Sequence, residues 1–304
     1  MIALDRPLCA PMGMESAPVR WVLCAVVVCA LAPGAAAQEF GPPLRGTEAV
    51  IQPSQPQWGG FYAAGQIGYS SANVNFGAAA GPDVSFILRN TTIEADEDLS
   101  GWAVLPPVRS TGGAGLGGFV GYNMQWQDVV LGLEANYNHV TLQASSADSE
   151  ERSFVDSNNI PAGHHYFYDA TVSEQASMEI TDIATFRGRA GWAFSNYLPY
   201  GFFGFAVGGA NVANTASVKF TAVDYPDSTT PPTTPLPDID FGPVSQGTSQ
   251  DGAFVYGLTT GIGTDISLAQ NVFLRGELEY IYFFPLDGIH VTVASARVGG
   301  GIKF

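Results

Sequence analysis

Cysteine, basic side chains and long apolar runs are all scarce in this chain of 304 residues. The three cysteines, Cys9, Cys24 and Cys29, all precede Gln38, in a segment that reads as removable. The mature chain is therefore expected to hold no disulfide, no thiolate metal site and no Cys nucleophile. Lys and Arg number 12 against 28 Asp and Glu, a formal net charge of −16. A surface of that sign repels phosphate backbones, so nucleic acid is not an expected partner. Charged residues make up 13% of the chain, about half the share of an ordinary soluble domain. Span-length apolar runs are missing after the N-terminal segment. The one stretch that suggests a membrane helix, 191–213, is interrupted by Ser195, Asn196, Pro199 and repeated glycine. What is abundant is glycine, at 36 residues, and aromatics, at 12%.

The N-terminus reads as an export signal. Arg20 precedes an apolar run from Trp21 to Leu31, and Ala35-Ala36-Ala37 offers a small-x-small cleavage site before Gln38. The run is too short to span a bilayer. Translation starting at Met1, Met12 or Met14 would leave this signal intact. Residues 38–57, rich in Pro, Gly and Gln, read as a flexible periplasmic leader ahead of a domain covering 58–304.

Eight strand-like stretches follow, and they alternate in an unusual sense. In the first, Phe61, Ala63, Gly65, Ile67 and Tyr69 share one face and Gln66 and Gly68 the other; in the third, Leu131, Leu133, Ala135 and Tyr137 oppose Glu134, Asn136 and Asn138. The fourth sets Phe186, Ala190, Trp192 and Phe194 against Arg187 and Arg189, and the sixth sets Leu258, Ile262 and Ile266 against Thr259 and Asp265. The seventh sets Val272, Leu274, Leu278, Tyr280 and Tyr282 against Arg275, Glu277 and Glu279. In the last, Phe304, Ile302, Val298, Ala296 and Ala294 lie opposite Lys303, Arg297 and Ser295. Bulky apolar side chains on one face and ionisable ones on the other fit a wall with lipid outside and a polar lumen inside. Aromatics gather near strand ends (Trp126, Tyr137, Trp192, Tyr280, Tyr282, Phe304), as interfacial girdles require. Tight turns alternate with long polar segments at about 77–110, 145–172 and 221–250. The expected fold is all-β: an eight-stranded antiparallel up-and-down transmembrane β-barrel, closed because lipid leaves no other way to satisfy backbone groups. A secreted lipocalin-like barrel is the rival, but its lumen would be apolar.

Several motifs carry a family resemblance: Trp58-Gly59-Gly60-Phe61-Tyr62, Gly117 to Gln125 (GGFVGYNMQ), Leu131-Gly132-Leu133-Glu134, Arg187-Gly188-Arg189-Ala190-Gly191, Leu198-Pro199-Tyr200, Gly261-Ile262-Gly263, Arg275 to Tyr280 (RGELEY) and the final Phe304. In that order they resemble the opacity-type outer-membrane β-barrel family of alphaproteobacteria. The chain departs from it in having Leu258 where the family tends to have Trp, and in its long loops. The resemblance implies a cell outer-membrane surface antigen, envelope protein or adhesin, in some members a haem binder.

Signals for chemistry are sparse. His164, His165, Tyr166 and Tyr168 lie within five positions and would suit a ligand-binding loop, with haem iron as one candidate. His139 with Ser145 and Ser146 allows a lipid-acting esterase, though no spacing enforces a triad. The glycine run Gly113 to Gly118 matches a dinucleotide fingerprint by letter but has no βαβ unit around it. The Pro/Thr run from Thr229 to Pro237 reads as a stiff, solvated spacer.

The functional expectation is thus a non-enzymatic envelope or surface protein without cofactor or metal, with acidic loops facing outward. Its partners would be outer-membrane lipid, the barrel-assembly machinery reading the last strand at Phe304, and a host or surface ligand at the loops. A narrow porin-like channel is the alternative. Parity sends Glu134, Arg187, Arg189, Asp265, Arg275, Glu277, Glu279, Arg297 and Lys303 into the lumen, with Asp265 and Lys303 near enough to strand ends to reach water. An eight-stranded lumen is filled by side chains, so these charges must pair.

Overall fold

A computed structural model describes residues 57–77, 79–156, 158, 160, 162–224 and 236–304, with the side chains of 109 and 110 left out. The export signal, nearly all of the leader and most of the Pro/Thr run lie outside the described residues.

Eight antiparallel strands close into a barrel in sequence order: β1 (Gly60–Asn75), β2 (Val108–Trp126), β3 (Val129–Asp156), β4 (Tyr166–Trp192), β5 (Tyr197–Asp224), β6 (Ile239–Ala269), β7 (Val272–Leu286) and β8 (Ile289–Lys303). β1 pairs with both β2 and β8, which removes the last free edge of the wall. At one end the connections are tight, with positive φ at Gln127 (54°) and Ser195 (50°). At the other end Asp287 and Gly288 both take positive φ (49° and 77°), the pattern of a two-residue hairpin turn.

The wall obeys the inverted alternation. Outward side chains such as Phe61 (66% exposed), Leu116 (65%), Phe205 (64%) and Val298 (59%) form the lipid face. Inward glycines on β2 serve the crowding beneath it: a Cβ on Gly117 would overlap the Tyr137 carbonyl oxygen, and one on Gly121 the Tyr62 hydroxyl.

Strands of 9–11 residues suffice to cross a bilayer, and β1, β7 and β8 have 15 or 16 residues. β3, β4, β5 and β6 have 27–31 and run on past the membrane as a four-stranded sheet. This corrects the expected loops at 145–172 and 221–250, which are strand over 145–156, 166–172, 221–224 and 239–250. The reason is a reversal of pattern. Beyond Tyr137, Ala184 and Val207 the outer face meets water and turns polar, while Leu142, Ala144, Val172, Ala176, Met178, Val212 and Val218 turn inward. The polar residues there belong to one face of a strand.

The first long segment is also structured. It contains α1 (Gly81–Leu88), α2 (Thr92–Glu97) and a 3-10 turn (Leu99–Trp102). Phe76, Val84, Leu88, Ile93, Leu99 and Leu105 pack with the inward residues of β3, β4, β5, β7 and β8 in one apolar cluster. Ser146 Oγ donates to the Pro106 carbonyl (2.8 Å) and Thr248 Oγ1 to Asp83 (3.3 Å), pinning the segment to the inner face of the sheet. The barrel interior is therefore lined mainly by apolar side chains in its outer half, and the clustered arginines and carboxylates occupy the half near the tight turns.

Candidate functional site

The charged half of the lumen is built from side chains on five strands: Glu134 on β3, Arg187 and Arg189 on β4, Asp265 on β6, Arg275, Glu277 and Glu279 on β7, Arg297 and Lys303 on β8. Every one of the nine is at most 7% exposed and faces the barrel interior. Asp265, sent to the lumen but close enough to a strand end to reach water, is 2% exposed, with Arg189 and Arg275 both reaching it.

Four arginines and four carboxylates form a closed network. Arg187 Nη2 donates to Glu134 Oε1 (2.5 Å) and Glu277 Oε2 (2.7 Å), and its Nη1 to Glu279 Oε1 (3.2 Å). Arg275 grips Asp265 in bidentate fashion (2.7 and 3.0 Å) and reaches Glu134 Oε2 at 2.6 Å. Arg189 Nη2 donates to Asp265 Oδ2 (2.7 Å). Arg297 holds Glu277 at 2.9 Å and also meets Glu279. Bidentate guanidinium–carboxylate pairs are among the strongest contacts available to buried charge. They are needed here, because each enclosed ion left alone costs several kcal/mol.

Sequence reasoning followed the charges and missed the groups that complete them. Tyr62 donates to Glu134 Oε2 (2.7 Å), Tyr200 to Glu277 Oε2 (2.8 Å) and Thr259 to Glu279 Oε1 (2.8 Å). Aromatic rings cover the guanidinium faces: Phe202 under Arg187 (4.1 Å), Tyr200 under Arg189 (3.7 Å), Phe119 under Arg275 (3.9 Å). All five share the inward parity of the charges, which was the signal available. Space for them comes from Gly204 and Gly261, where a Cβ would overlap Phe186 and Arg187 in one case and Phe202 and Leu278 in the other.

The periplasmic end is capped. Trp58 is buried, its backbone N–H donating to Gln125 Oε1 (2.7 Å), and Lys303 Nζ sits 4.2 Å from the ring centroid and donates to the Gln57 carbonyl (3.2 Å). On the other side of the charges, Gln66 donates to Asn136 (3.0 Å) and Asn138 (2.8 Å), a neutral polar layer beneath the apolar chamber.

In the candidate ligand loop three of the four side chains are engaged by partners within the protein. His164 is buried, with Nδ1 3.0 Å from Asp224; Tyr166 donates to the Pro237 carbonyl (3.0 Å), and Tyr168 stacks on Phe154 (5.2 Å). Among the described residues no group of three or more His, Cys, Asp or Glu side chains is placed to hold a metal ion. The two serines of the esterase set take opposite faces of β3, Ser145 outward and Ser146 inward. His139 faces outward and pairs with Asp182 (2.9 Å), whereas Ser146 faces inward and is bonded to Pro106.

A closed eight-stranded barrel with a lipid-facing apolar wall and enclosed, paired charges defines an outer-membrane transmembrane β-barrel. The chain belongs to the outer membrane protein beta-barrel domain family, whose model matches residues 22–304. Among solved structures it is similar to Ail, the attachment invasion locus protein of Yersinia pestis, at 16% identity and a TM-score of 0.30, covering 81% of this chain and 99% of that one. It is similar also to Neisserial surface protein A (13%, TM-score 0.30, covering 80% and 97%). The N-terminal barrel domain of Pseudomonas aeruginosa OprF matches at 10% identity and a TM-score of 0.25, covering 79% and 97%. No curated protein matches the chain.

Proposed function

We propose that this outer-membrane protein is a non-enzymatic surface protein of the opacity type, with a lumen closed to solutes and an acidic sheet held outside the cell. The observation that carries the reading is the double filling of the lumen. Four arginines are locked to four carboxylates between Trp58 and the Gln66 layer, and the segment from Phe76 to Leu105 fills the apolar half above them. A solute would have to break both. The long β3–β6 sheet, carrying Glu150, Glu151, Asp169 and Asp240, is the part a host or surface ligand would meet. The last strand, with Phe304 exposed at its lipid face, is the segment we assign to the barrel-assembly machinery.

Planar-bilayer recording tests the closed lumen. The unmodified protein is expected to give at most a small leak, and Arg187→Ala to raise it. Large, steady channels from the unmodified protein would establish the porin-like alternative.

A further inference from the structure

We infer that the outer wall carries a saccharide-binding cleft where β3, β4, β5 and β6 leave the membrane, and that its ligand is a neutral, hydroxyl-rich sugar unit. The cleft encloses about 480 Å³. Gln143, Glu179, Asn211 and Asp251 form its polar rim and Ser177 and Ala213 part of its floor. None of these residues takes part in the lumen network.

Its position is set by the backbone. Pairing shifts register between His139 and Leu142, between Ile180 and Asp182, and between Ala210 and Val212, so three neighbouring strand pairs are interrupted at one level. Bulges bend strands and re-aim side chains, and they gather near sites. On β6 the irregularity sets Asp251 and Gly252 (φ 69°) opposite Asn211, with the Gly252 N–H held by Asn211 Oδ1 at 2.9 Å. Small side chains at Ser177 and Ala213 then leave the hollow that larger ones would fill.

The rim chemistry selects the ligand. Gln143 Nε2 donates to Glu179 Oε1 (2.9 Å), which orients both groups. Within the described residues this leaves the second Glu179 oxygen, the Asn211 NH2 and the Asp251 carboxylate with no hydrogen-bond partner. A row of acceptors beside an amide donor matches hydroxyls, which donate and accept at once. A phosphate or sulfate would meet Glu179, Asp251 and, one row below, Asp182, and would be repelled. A metal ion lacks the ligand cluster it needs. An acyl chain would strand the polar rim. Beneath the cleft Phe254 is 57% exposed and lies directly across from Gly209, where even an added Cβ would meet nothing within 4 Å. That supplies a flat face for the C–H side of a pyranose. The cleft stands immediately above the lipid-facing wall, so the sugar could be a glycolipid headgroup or a soluble oligosaccharide.

Saturation-transfer NMR on the full chain in phosphocholine micelles tests this, using free glucose-, galactose-, mannose- and N-acetylglucosamine-based tetrasaccharides with a sialylated one as charge control. A second arm measures partition of the protein between phosphatidylcholine vesicles with and without a monogalactosyl lipid. Transfer to a neutral free sugar identifies a soluble source, and preference for the glycolipid alone identifies a headgroup; either supports the cleft. Glu179→Ala/Asn211→Ala should weaken the response about tenfold, the scale of two lost hydrogen bonds, while heat-modifiable migration shows the barrel still closed. Phe254→Ala serves as the second variant should the first fail to fold. No response in either arm, a response led by the sialylated sugar, or one unchanged in the folded variant would overturn the inference.

Discussion

Arg187 and Glu134 stand directly opposite each other on β4 and β3, and their side chains meet at 2.5 Å inside the barrel. The pairing needs no long reach, because cross-strand partners on one face are already neighbours. Asp265 and Arg275 are opposite each other in the same way on β6 and β7, as are Glu277 and Arg297 on β7 and β8. The network is thus a set of cross-strand pairs, joined across the lumen where Arg275 reaches Glu134 and Arg187 reaches Glu277 and Glu279. Each pair fixes the register of two strands as well as neutralising charge, since a one-residue slip of either strand would carry its ion to the lipid face and leave the other unpaired.

Removing one member of this network should be expensive. Arg187→Ala leaves three buried carboxylates short of their shared cation, for an expected loss of roughly 3–5 kcal/mol in urea unfolding from lipid vesicles. The comparison is Arg152→Ala. The Arg152–Glu150 pair is about half exposed (48% and 41%), and its loss should cost under about 1 kcal/mol. Equal effects from the two variants would mean that the lumen is wet.

The apolar chamber gives a separate prediction. Leu88 and Leu99 are fully buried between the helical segment and the inner face of the sheet. Leu88→Ala should destabilise by roughly 2–5 kcal/mol, as large-to-small changes in cores do. Because the segment packs on the wall without being part of it, the loss should appear as faster protease cleavage between Gly77 and Val108, with the barrel still resistant. Loss of heat-modifiable migration in this variant would show that the segment is required for closure.

The wall and the charged layer were legible in the sequence because lipid imposes a simple rule: bulky apolar out, polar in. Phe61, Val298, Glu134 and Arg187 all obey it. That rule failed at Asp182 and Asn211, where the strands enter water and the rule changes sign. A segment such as Ala170-Thr171-Val172-Ser173 then reads as polar and aperiodic when only large outward residues are sought, although it alternates perfectly between buried and half-buried. α1 was illegible for another reason. It has eight residues and no side-chain cap, so its stability comes from packing against β5 and β6 and not from propensity. His164 looked like a free ligand because its partner, Asp224, lies 60 residues away in sequence.

The change of sign along one outer face can be tested with a single substitution type. Val298→Arg puts a guanidinium on the lipid face, beside Ile67 and Gly276 in register, and should cost roughly 2–4 kcal/mol near the bilayer midplane. Thr215→Arg lies on the outward face of β5 beyond the membrane, between Gln175 and Gly247, and should stay within about 0.5 kcal/mol of the parent. Folding yields in vesicles would rank the two. A costly Thr215→Arg would mean that the sheet beyond Asn211 is covered.

The sheet outside the membrane should also respond to pH through Glu174. This side chain lies on the inner face of β4 between Val172 and Ala176, 7% exposed, and its Oε2 has no hydrogen-bond partner. Burial, with Asp148 and Glu150 adding repulsion from β3, pushes its carboxyl up to about 7 from an ordinary value of 4.5. The raised value fixes the sign of the effect. Below about pH 4.5 the group is neutral in folded and unfolded chains alike, and the site carries no penalty. As pH rises towards 7 the unfolded chain releases its proton first, so stability falls across that window and levels off once the folded form is ionised too. Asp83, whose carboxyl is also raised by burial where α1 meets β6, acts in the same direction. Amide-exchange protection of residues 83–103 should therefore be higher at pH 5 than at pH 8, after correction for the intrinsic exchange rate. In Glu174→Gln, which keeps the shape and removes the titration, most of that difference should vanish. A pH dependence unchanged by Glu174→Gln would assign it to Asp83 or to the exposed acids of the sheet, and a protection that rises with pH would contradict the sign argued for both.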